Sequence, residues 1–359
     1  MNRSIPADGD LRVALIGYGL AGAAFHAPLI ATTPGLRLDT VVTANPERAR
    51  QAREQHPGVA IADSAERVWE RAGELDLVVV ASPNRTHVPL AIAALDAGLA
   101  VVVDKPLAAT ADEGRRLVEH ARERGRLLTV FQNRRWDGDF LTLRRLIAEG
   151  ALGTVHRFES RFERWRPEPK PGWREKGDPA EAGGILYDLG SHLVDQALVL
   201  FGPATHVYAE LDRRRPGVQV DDDAFVAITH ASGVRSHLWM SALAGDHAER
   251  FRVLGSRAAY VKSGLDVQEA ALRAGGRPGP GWGEEPRERW GRLGAADEWR
   301  EVPTEPGAYP AFYAGVAAAL RGGTPPPVDP ADAVAGLAII EAARRSAKEG
   351  AVVPLAPGP

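Results

Sequence analysis

Arg12–Gly22 reads RVALIGYGLAG, a short apolar run that ends directly in three glycines spaced G-x-G-x-x-G. The run predicts a strand, and the glycines predict a tight turn into a helix. Each glycine has its own task in a dinucleotide-binding turn: Gly17 bends the chain, Gly19 lets the backbone approach a pyrophosphate, and Gly22 lets the helix pack close to the strand. The N–H groups at the start of that helix then face the phosphates. Glycine-rich turns are common, so the string counts only in context. Pro28, in GAAFHAPLIA, is expected to kink or interrupt this first helix.

The context is a repeating one. Four further apolar runs follow, LDTVVT (Leu38–Thr43), LDLVVVAS (Leu75–Ser82), AVVVD (Ala100–Asp104) and LLTVF (Leu127–Phe131). Between them lie the helical stretches PERARQAREQ, VPLAIAALDAG and TADEGRRLVEHARERG. Strands that alternate with helices predict an α/β Rossmann domain with a parallel sheet, whose ligands bind at the carboxyl ends of the strands.

Three stretches fall at that edge. Where an acid usually holds the adenosine ribose, the chain has Thr43, Ala44 and Asn45, and Arg48 follows on the next helix. Asp39 lies too early in its strand to serve. This pattern favours NADP over NAD, the alternative being that Arg48 merely faces solvent. The second stretch is SPNRTH, where Pro83 stops the strand, Asn84 suits a turn, Asn84 or Thr86 can cap the next helix, and His87 starts it. The third is DKP, with Asp104, Lys105 and Pro106 at the exit of an apolar strand. The candidate cofactor-binding residues are therefore Gly17, Tyr18, Gly19, Leu20, Ala21, Gly22, Thr43, Asn45, Arg48, Ser82, Pro83, Asn84, His87, Asp104 and Lys105.

Beyond residue 130 the period changes. Thr154–Trp165, TVHRFESRFERW, alternates with period two, placing Phe158 and Phe162 with His156 and Ser160 on one face and Arg157, Glu159, Arg161 and Glu163 on the other. ATHVYAELDRR, DDAFVAITHA, VRSHLWMSAL and RFRVLGSRAAYVKSG read as further strands, which predicts an α+β domain with a large open, mostly antiparallel sheet. An open sheet needs cover, and a homodimer or homotetramer formed through it is expected. Gly275–Gly294 reads as an irregular loop, and helices are expected near 309–321 and 330–349. The expected division is a dinucleotide-binding domain over 1–130 and a substrate-binding and oligomerisation domain over 131–359, with the helix 330–349 packing back on the first.

One segment of the second domain stands out. GGILYDLGSHLVDQALVLFG (Gly183–Gly202) predicts a buried helix that nevertheless carries Asp188 and His192, four apart and so on one face. Taken alone, a histidine on an apolar helix reads as a hydrogen-bonded core residue. With Lys105 and a cofactor, the pair becomes a candidate catalytic group. Asn133, Arg135, Trp173 and Arg174 supply the amide, guanidinium and aromatic faces that suit a polyol, although Arg174 could instead pair with Glu175 or Asp178.

The totals exclude other classes. A chain of 359 residues with 44% hydrophobic and 25% charged content has the composition of an ordinary globular protein. A net charge of −3 and a pI near 6.4 leave no basic field for nucleic acid or anionic lipid, so the expected partner is a small molecule. The absence of cysteine removes disulfides, thiolate zinc sites and thiol nucleophiles. The ten histidines show no ligand spacing, and no metal is expected. Neither a secretory signal nor a bilayer-spanning run is visible, so a cytoplasmic location is expected.

GYGLAG, SPNRTH, DKP and GGILYDLGSHLVD, in this order, resemble the glucose-fructose oxidoreductase, inositol dehydrogenase and rhizopine-catabolism family, Gfo/Idh/MocA, over about Leu11 to Val353. Within it, GYGLAGAAFHAPLI, FQNRRWDGDFLTLRRLI, WRE, LYDLGSHLVDQALVLFG and GLDVQEAALRAGGRPGPGWG are similar to NADP-dependent scyllo-inositol dehydrogenases. The resemblance implies reversible oxidation of a polyol or sugar hydroxyl. It places the family's catalytic lysine, commonly in E-K-P, on Lys105, with Asp104 in place of glutamate. The family's paired acid and imidazole fall on Asp188 and His192. The alternatives are a dehydrogenase or reductase of another sugar or carbonyl compound, and a non-catalytic NADP-sensing regulator, which would be expected to lack one of these three residues.

Overall fold

The computed structural model describes residues 9–169, 172, 175 and 177–355. The chain forms two compact units that are not consecutive in sequence. The first takes the chain up to Asn133 together with Gln268–Trp282 and Ala308–Val334, and the second takes Arg134–Val267, Gly283–Gly307 and the chain from Ala335 on. Gln268–Trp282 and Ala308–Val334 were expected in the second domain, yet they group with the nucleotide-binding sheet. The helix over 330–349 is divided at Val334, with its first turn in the first unit and the rest in the second.

The first unit is built on β1 (Leu11–Ile16), β2 (Leu36–Val42), β3 (Ala60–Ala62), β4 (Leu77–Val80), β5 (Ala100–Asp104) and β6 (Leu128–Phe131). They form one parallel sheet in the order β3-β2-β1-β4-β5-β6. Strands such as Leu77–Val80 are buried on both faces, which is why they read as unbroken apolar runs. The strand order reverses between β1 and β4, and in this fold a ligand sits at that switch point. The accompanying helices are α1 (Ala27–Thr32), α2 (Pro46–Gln55), α3 (Glu66–Trp69), α4 (His87–Asp96) and α5 (Ala111–Glu123).

The helix after the glycine turn is not interrupted at Pro28. A π-turn over Gly22–His26 runs directly into α1. Its wider ladder accommodates a residue that has no N–H to give, so the expected break becomes a local change of pitch.

The second unit opens with α6 (Gly138–Ala148) and β7 (Val155–Glu163), then α7 (Ser191–Phe201), β8 (Ala204–Asp212), β9 (Asp223–His230), β10 (Arg235–Ser241), β11 (Phe251–Gly255) and β12 (Ala259–Lys262). After α8 (Gln268–Arg273) in the first unit come β13 (Gly291–Ala295) and β14 (Glu298–Val302). The chain ends with α9 (Pro310–Leu320), α10 (Pro330–Glu349) and β15 (Val353–Pro354). Nine strands form one sheet, ordered β14-β13-β12-β11-β7-β10-β9-β8-β15. All its neighbours are antiparallel except β10 and β7.

Alternation decides which face of this sheet is inside. Ala224, Val226 and Ile228 of β9 and Leu238 and Met240 of β10 are buried, as are Phe158 and Phe162 of β7, and α7 packs against that face. RFRVLGSRAAYVKSG is two strands of a hairpin instead of one, because the chain reverses at Ser256–Ala258. The stretch over 275–294, expected to be irregular throughout, already enters β13, and the short α8 precedes it.

Candidate active site

In the first unit the three glycines differ in what surrounds them. Gly17 has φ +101°, and a Cβ there would lie 2.5 Å from the Ala81 carbonyl oxygen at the end of β4, so the turn is pressed against the strand across the switch point. At Gly22 a Cβ would lie 2.0 Å from the Gly17 carbonyl oxygen. At Gly19 it would meet nothing within 4 Å. Two glycines close the turn and the third leaves open space over it, which fits a dinucleotide's pyrophosphate. Leu20 is 47% exposed, whereas Tyr18 is 1% exposed and donates from its hydroxyl to Gln55 Oε1 at 2.9 Å. Burial pushes its phenol up to about 12, with Arg277 opposing. The Tyr18 side chain is turned inward, so it is the backbone of this turn residue that faces the open space.

At the end of β2, Asn45 caps α2 by accepting from the Arg48 N–H at 3.0 Å, and its own N–H reaches Thr43 Oγ1 at 3.3 Å. Arg48 is exposed, and no carboxylate among the described residues pairs with its guanidinium. Asp39 is occupied elsewhere, by Arg37 at 2.9 Å and Arg71 at 3.3 Å. A basic group and two short polar ones thus stand where an acid would bind a ribose.

The exit of β4 is braced from within. Thr86 does not cap α4 through its side chain; its hydroxyl donates to Pro83 O at 2.6 Å and lies 2.6 Å from Ser82 Oγ. Asn84, 6% exposed, opens a single 3-10 turn behind the exposed Pro83. His87 is 1% exposed, with Nδ1 2.8 Å from Pro106 O and Nε2 3.0 Å from Ser82 O. Burial pushes its imidazole below the ordinary range. The ring joins the exits of β4 and β5, with both nitrogens engaged by backbone carbonyls. The half-buried Lys105 follows Asp104, joined to Pro106 by a cis peptide bond. Asp104 Oδ1 accepts from the Lys105 N–H at 2.8 Å.

In the second unit the pair lies on a helix seated by an aspartate that sequence reasoning missed. Asp221 Oδ2 accepts from Leu186 N–H at 2.8 Å at the start of the π-turn Leu186–Gly190, which runs into α7. A Cβ on Gly184 would lie 2.4 Å from Asp221 Oδ1, so this glycine lets the carboxylate lie over the backbone. Burial raises the Asp221 carboxyl, with the Leu186 N–H and Arg344 opposing. Asp188 is half-buried and His192 is 6% exposed, its ring centroid 6.5 Å from that of Phe162. Asp188, Arg164, Arg166, Glu175, Arg215 and Asp221 line one open cavity. The helix ends at Gly202, with φ +78°, where Ser232 and His230 bond the last carbonyls.

Residues 11–132 match the model of the oxidoreductase family with an NAD-binding Rossmann fold, and residues 140–261 match the GFO/IDH/MocA C-terminal domain. The chain belongs to the GFO/IDH/MocA family. It is 44% identical over 352 residues to YdgJ of Escherichia coli, named an uncharacterized oxidoreductase, covering 97% of this chain and 99% of that one. It is 34% identical to the Bacillus subtilis NADP-dependent scyllo-inositol 2-dehydrogenase IolW, covering 94% of each. Among solved structures, an oxidoreductase from Bacillus cereus superposes with a TM-score of 0.85 at 28% identity, covering 97% of this chain and 99% of that chain.

In this GFO/IDH/MocA oxidoreductase the expected substrate contacts divide. Asn133 is 6% exposed. Arg135 is committed to Asp195 on α7 through two bonds, at 2.9 and 2.6 Å. Its fork is therefore a structural tie, because a buried carboxylate on α7 requires a cation; Asp195, one turn past His192, is the partner that the apolar pattern concealed. Trp173 and Arg174 lie outside the described residues. Glu175 pairs with Arg215, which also holds Asp222. No helix among the described residues is long and apolar enough to cross a membrane.

Proposed function

We propose that this oxidoreductase is an NADP-dependent dehydrogenase of a polyol or sugar secondary hydroxyl, with scyllo-inositol as the best candidate substrate. The observation that carries the reading is the presence of all three reactive groups, Lys105 at the exit of β5 and Asp188 with His192 on one helix, in a chain that also has a glycine turn fit for a dinucleotide. Similarity to IolW supports the inositol and the NADP preference. YdgJ, at 44% identity, bears no substrate in its name, so another sugar or carbonyl compound is the second reading. A non-catalytic NADP-sensing regulator is the third, and it gives no reason to retain the three groups.

Gly17, Gly19 and Gly22 would hold the pyrophosphate, and Thr43, Asn45 and Arg48 the 2′-phosphate. When bound, the nicotinamide supplies the hydride acceptor. The protein's own task is the proton. An alcohol holds its proton far too tightly at neutral pH, so a base must take it and a donor must stabilise the developing alkoxide. An imidazole, with an ordinary pKa of about 6.5, suits the base, and His192 fills that role. Asp188, four residues before it, favours the charged ring, and the Lys105 ammonium donates to the same oxygen. A homo-oligomer formed through the nine-stranded sheet belongs to this reading; on the face away from α7, Phe225, His237 and Trp239 form ring pairs and Arg161 stacks on Trp239.

The test is a set of alanine variants. Lys105→Ala, Asp188→Ala and His192→Ala should each lower turnover by about 100-fold or more, with NADPH binding retained. Arg48→Ala should raise KM for NADP about tenfold and leave that for NAD unchanged, the loss of one charge-assisted phosphate contact. Equal KM changes for both cofactors would remove Arg48 from its role.

A further inference from the structure

His26 and Tyr313 have no part in the scheme above, yet both are 0% exposed and both stand behind Asp104. His26 ends the π-turn before α1, and Tyr313 lies on α9, in a segment that belongs to the first unit despite its distance in sequence. The Tyr313 hydroxyl is 2.6 Å from His26 Nδ1. On the other side of the ring, His26 Nε2 is 3.8 Å from Asp104 Oδ1, and the same oxygen accepts the Lys105 N–H at 2.8 Å. The rest of the pocket is aromatic: the Phe131 ring lies 4.4 Å from His26, and Phe312 packs on Phe131 at 5.0 Å.

The chemistry of these groups fixes a direction. Burial, followed by the negative charge of Asp104, pushes the Tyr313 phenol well above its ordinary value, so it remains an O–H donor. A neutral imidazole has one N–H and one acceptor nitrogen. If Nδ1 accepts from Tyr313, the ring proton must be on Nε2, pointing at Asp104. At 3.8 Å this contact is too long for a hydrogen bond, and it acts as an oriented dipole beside a carboxylate in apolar surroundings. Burial alone would raise Asp104, but His26, Lys105 and His87 together hold its carboxyl below the ordinary range. The charged and titratable groups around Asp104 are thus His26 from the π-turn, Tyr313 from α9, His87 from α4 and Lys105 itself.

We propose that His26, locked by Tyr313 in its Nε2–H tautomer, is a positioning residue for Lys105 that acts through Asp104. The proposal rests on the reading that Lys105 serves the reaction. An unanchored carboxylate at a strand end can turn toward the neighbouring ammonium and draw it into an ion pair. Anchored by His26 on one side and by the Lys105 N–H on the other, the Asp104 carboxylate fixes the backbone from which the ammonium projects.

The experiment uses the full chain with His26→Leu, His26→Gln and Tyr313→Phe. Leucine keeps the apolar volume, whereas glutamine restores an N–H donor near the position of Nε2. Long-range nitrogen NMR of the imidazoles should show His26 as the Nε2–H tautomer, and Tyr313→Phe should mix the tautomers. The sequence has five lysines, so lysine labelled at Cε gives a tractable spectrum. The Lys105 titration midpoint should rise by about half a unit in His26→Leu and return in His26→Gln. Turnover should fall about tenfold in His26→Leu, with KM for NADP unchanged, and recover in His26→Gln. An Nδ1–H tautomer, or the same Lys105 midpoint in all variants, overturns the proposal. A shifted midpoint in a protein that turns over no polyol, sugar or carbonyl compound supports the coupling of His26 to Lys105 and defeats the dehydrogenase reading instead.

Discussion

Gly19 and Gly22 are the same residue three positions apart, and their substitution should have opposite consequences. A methyl on Gly22 meets the Gly17 carbonyl oxygen at 2.0 Å, so Gly22→Ala forces the helix off the strand and should lower stability by about 2 kcal/mol in a denaturant titration. A methyl on Gly19 meets nothing, so Gly19→Ala should melt like the parent and lose at least tenfold in NADPH affinity by calorimetry. Equal losses of stability would mean that the turn is merely tight. Another residue-scale test is His56, which burial first and Arg277 second push down to about 4 from an ordinary 6.5. A depressed histidine stays neutral when folded while the unfolded chain takes up a proton, so its cost to stability grows as pH falls from 6.5 toward 4. His56→Gln should flatten that part of the melting-temperature profile; an unchanged slope would assign it to other groups.

At the scale of elements, α7 carries its polar side chains inward because each has a fixed neighbour. Gln196 donates to Arg134 O at 3.0 Å and accepts from Arg250 at 2.7 Å, while Asp195 holds Arg135. Asp195→Ala should therefore cost about 3–5 kcal/mol in urea unfolding, since it strands a cation that is only 11% exposed. The pair Asp195→Leu with Arg135→Met should lose much less; equal losses in the single and double variants would contradict the tie. This pair also shows what a sequence can reveal. The strands of the first unit, the glycine turn, and the helix that carries Asp188 and His192 were legible because each is written in a local pattern: an unbroken apolar run, a spacing, a turn of helix. Arg135 looked like a ligand and Asp195 drew no notice because their pairing spans 60 residues and has no local period. The burial of Tyr18 and His87 was hidden for a related reason, since exposure is set by the neighbours that fold over a residue. Tyr313 and His26, 287 positions apart, left no sequence signal at all.

For the molecule as a whole, the chain order does not follow the compact units: α8 and α9 return to the first unit after the second has begun. The sheet order with its switch point and the family match over both halves support the proposed account, in which a single hydroxyl loses its proton to His192 and its hydride to NADP. The most direct measurement follows NADPH absorbance as the intact protein is given NADP and scyllo-inositol, with myo-inositol, hexoses and NAD in parallel, and with His192→Ala under the same conditions. The account predicts NADPH formation by the parent chain and a rate about 100-fold lower in the variant. Turnover by His192→Ala at the parent rate, or no reduction of either cofactor by any polyol or sugar, would contradict it.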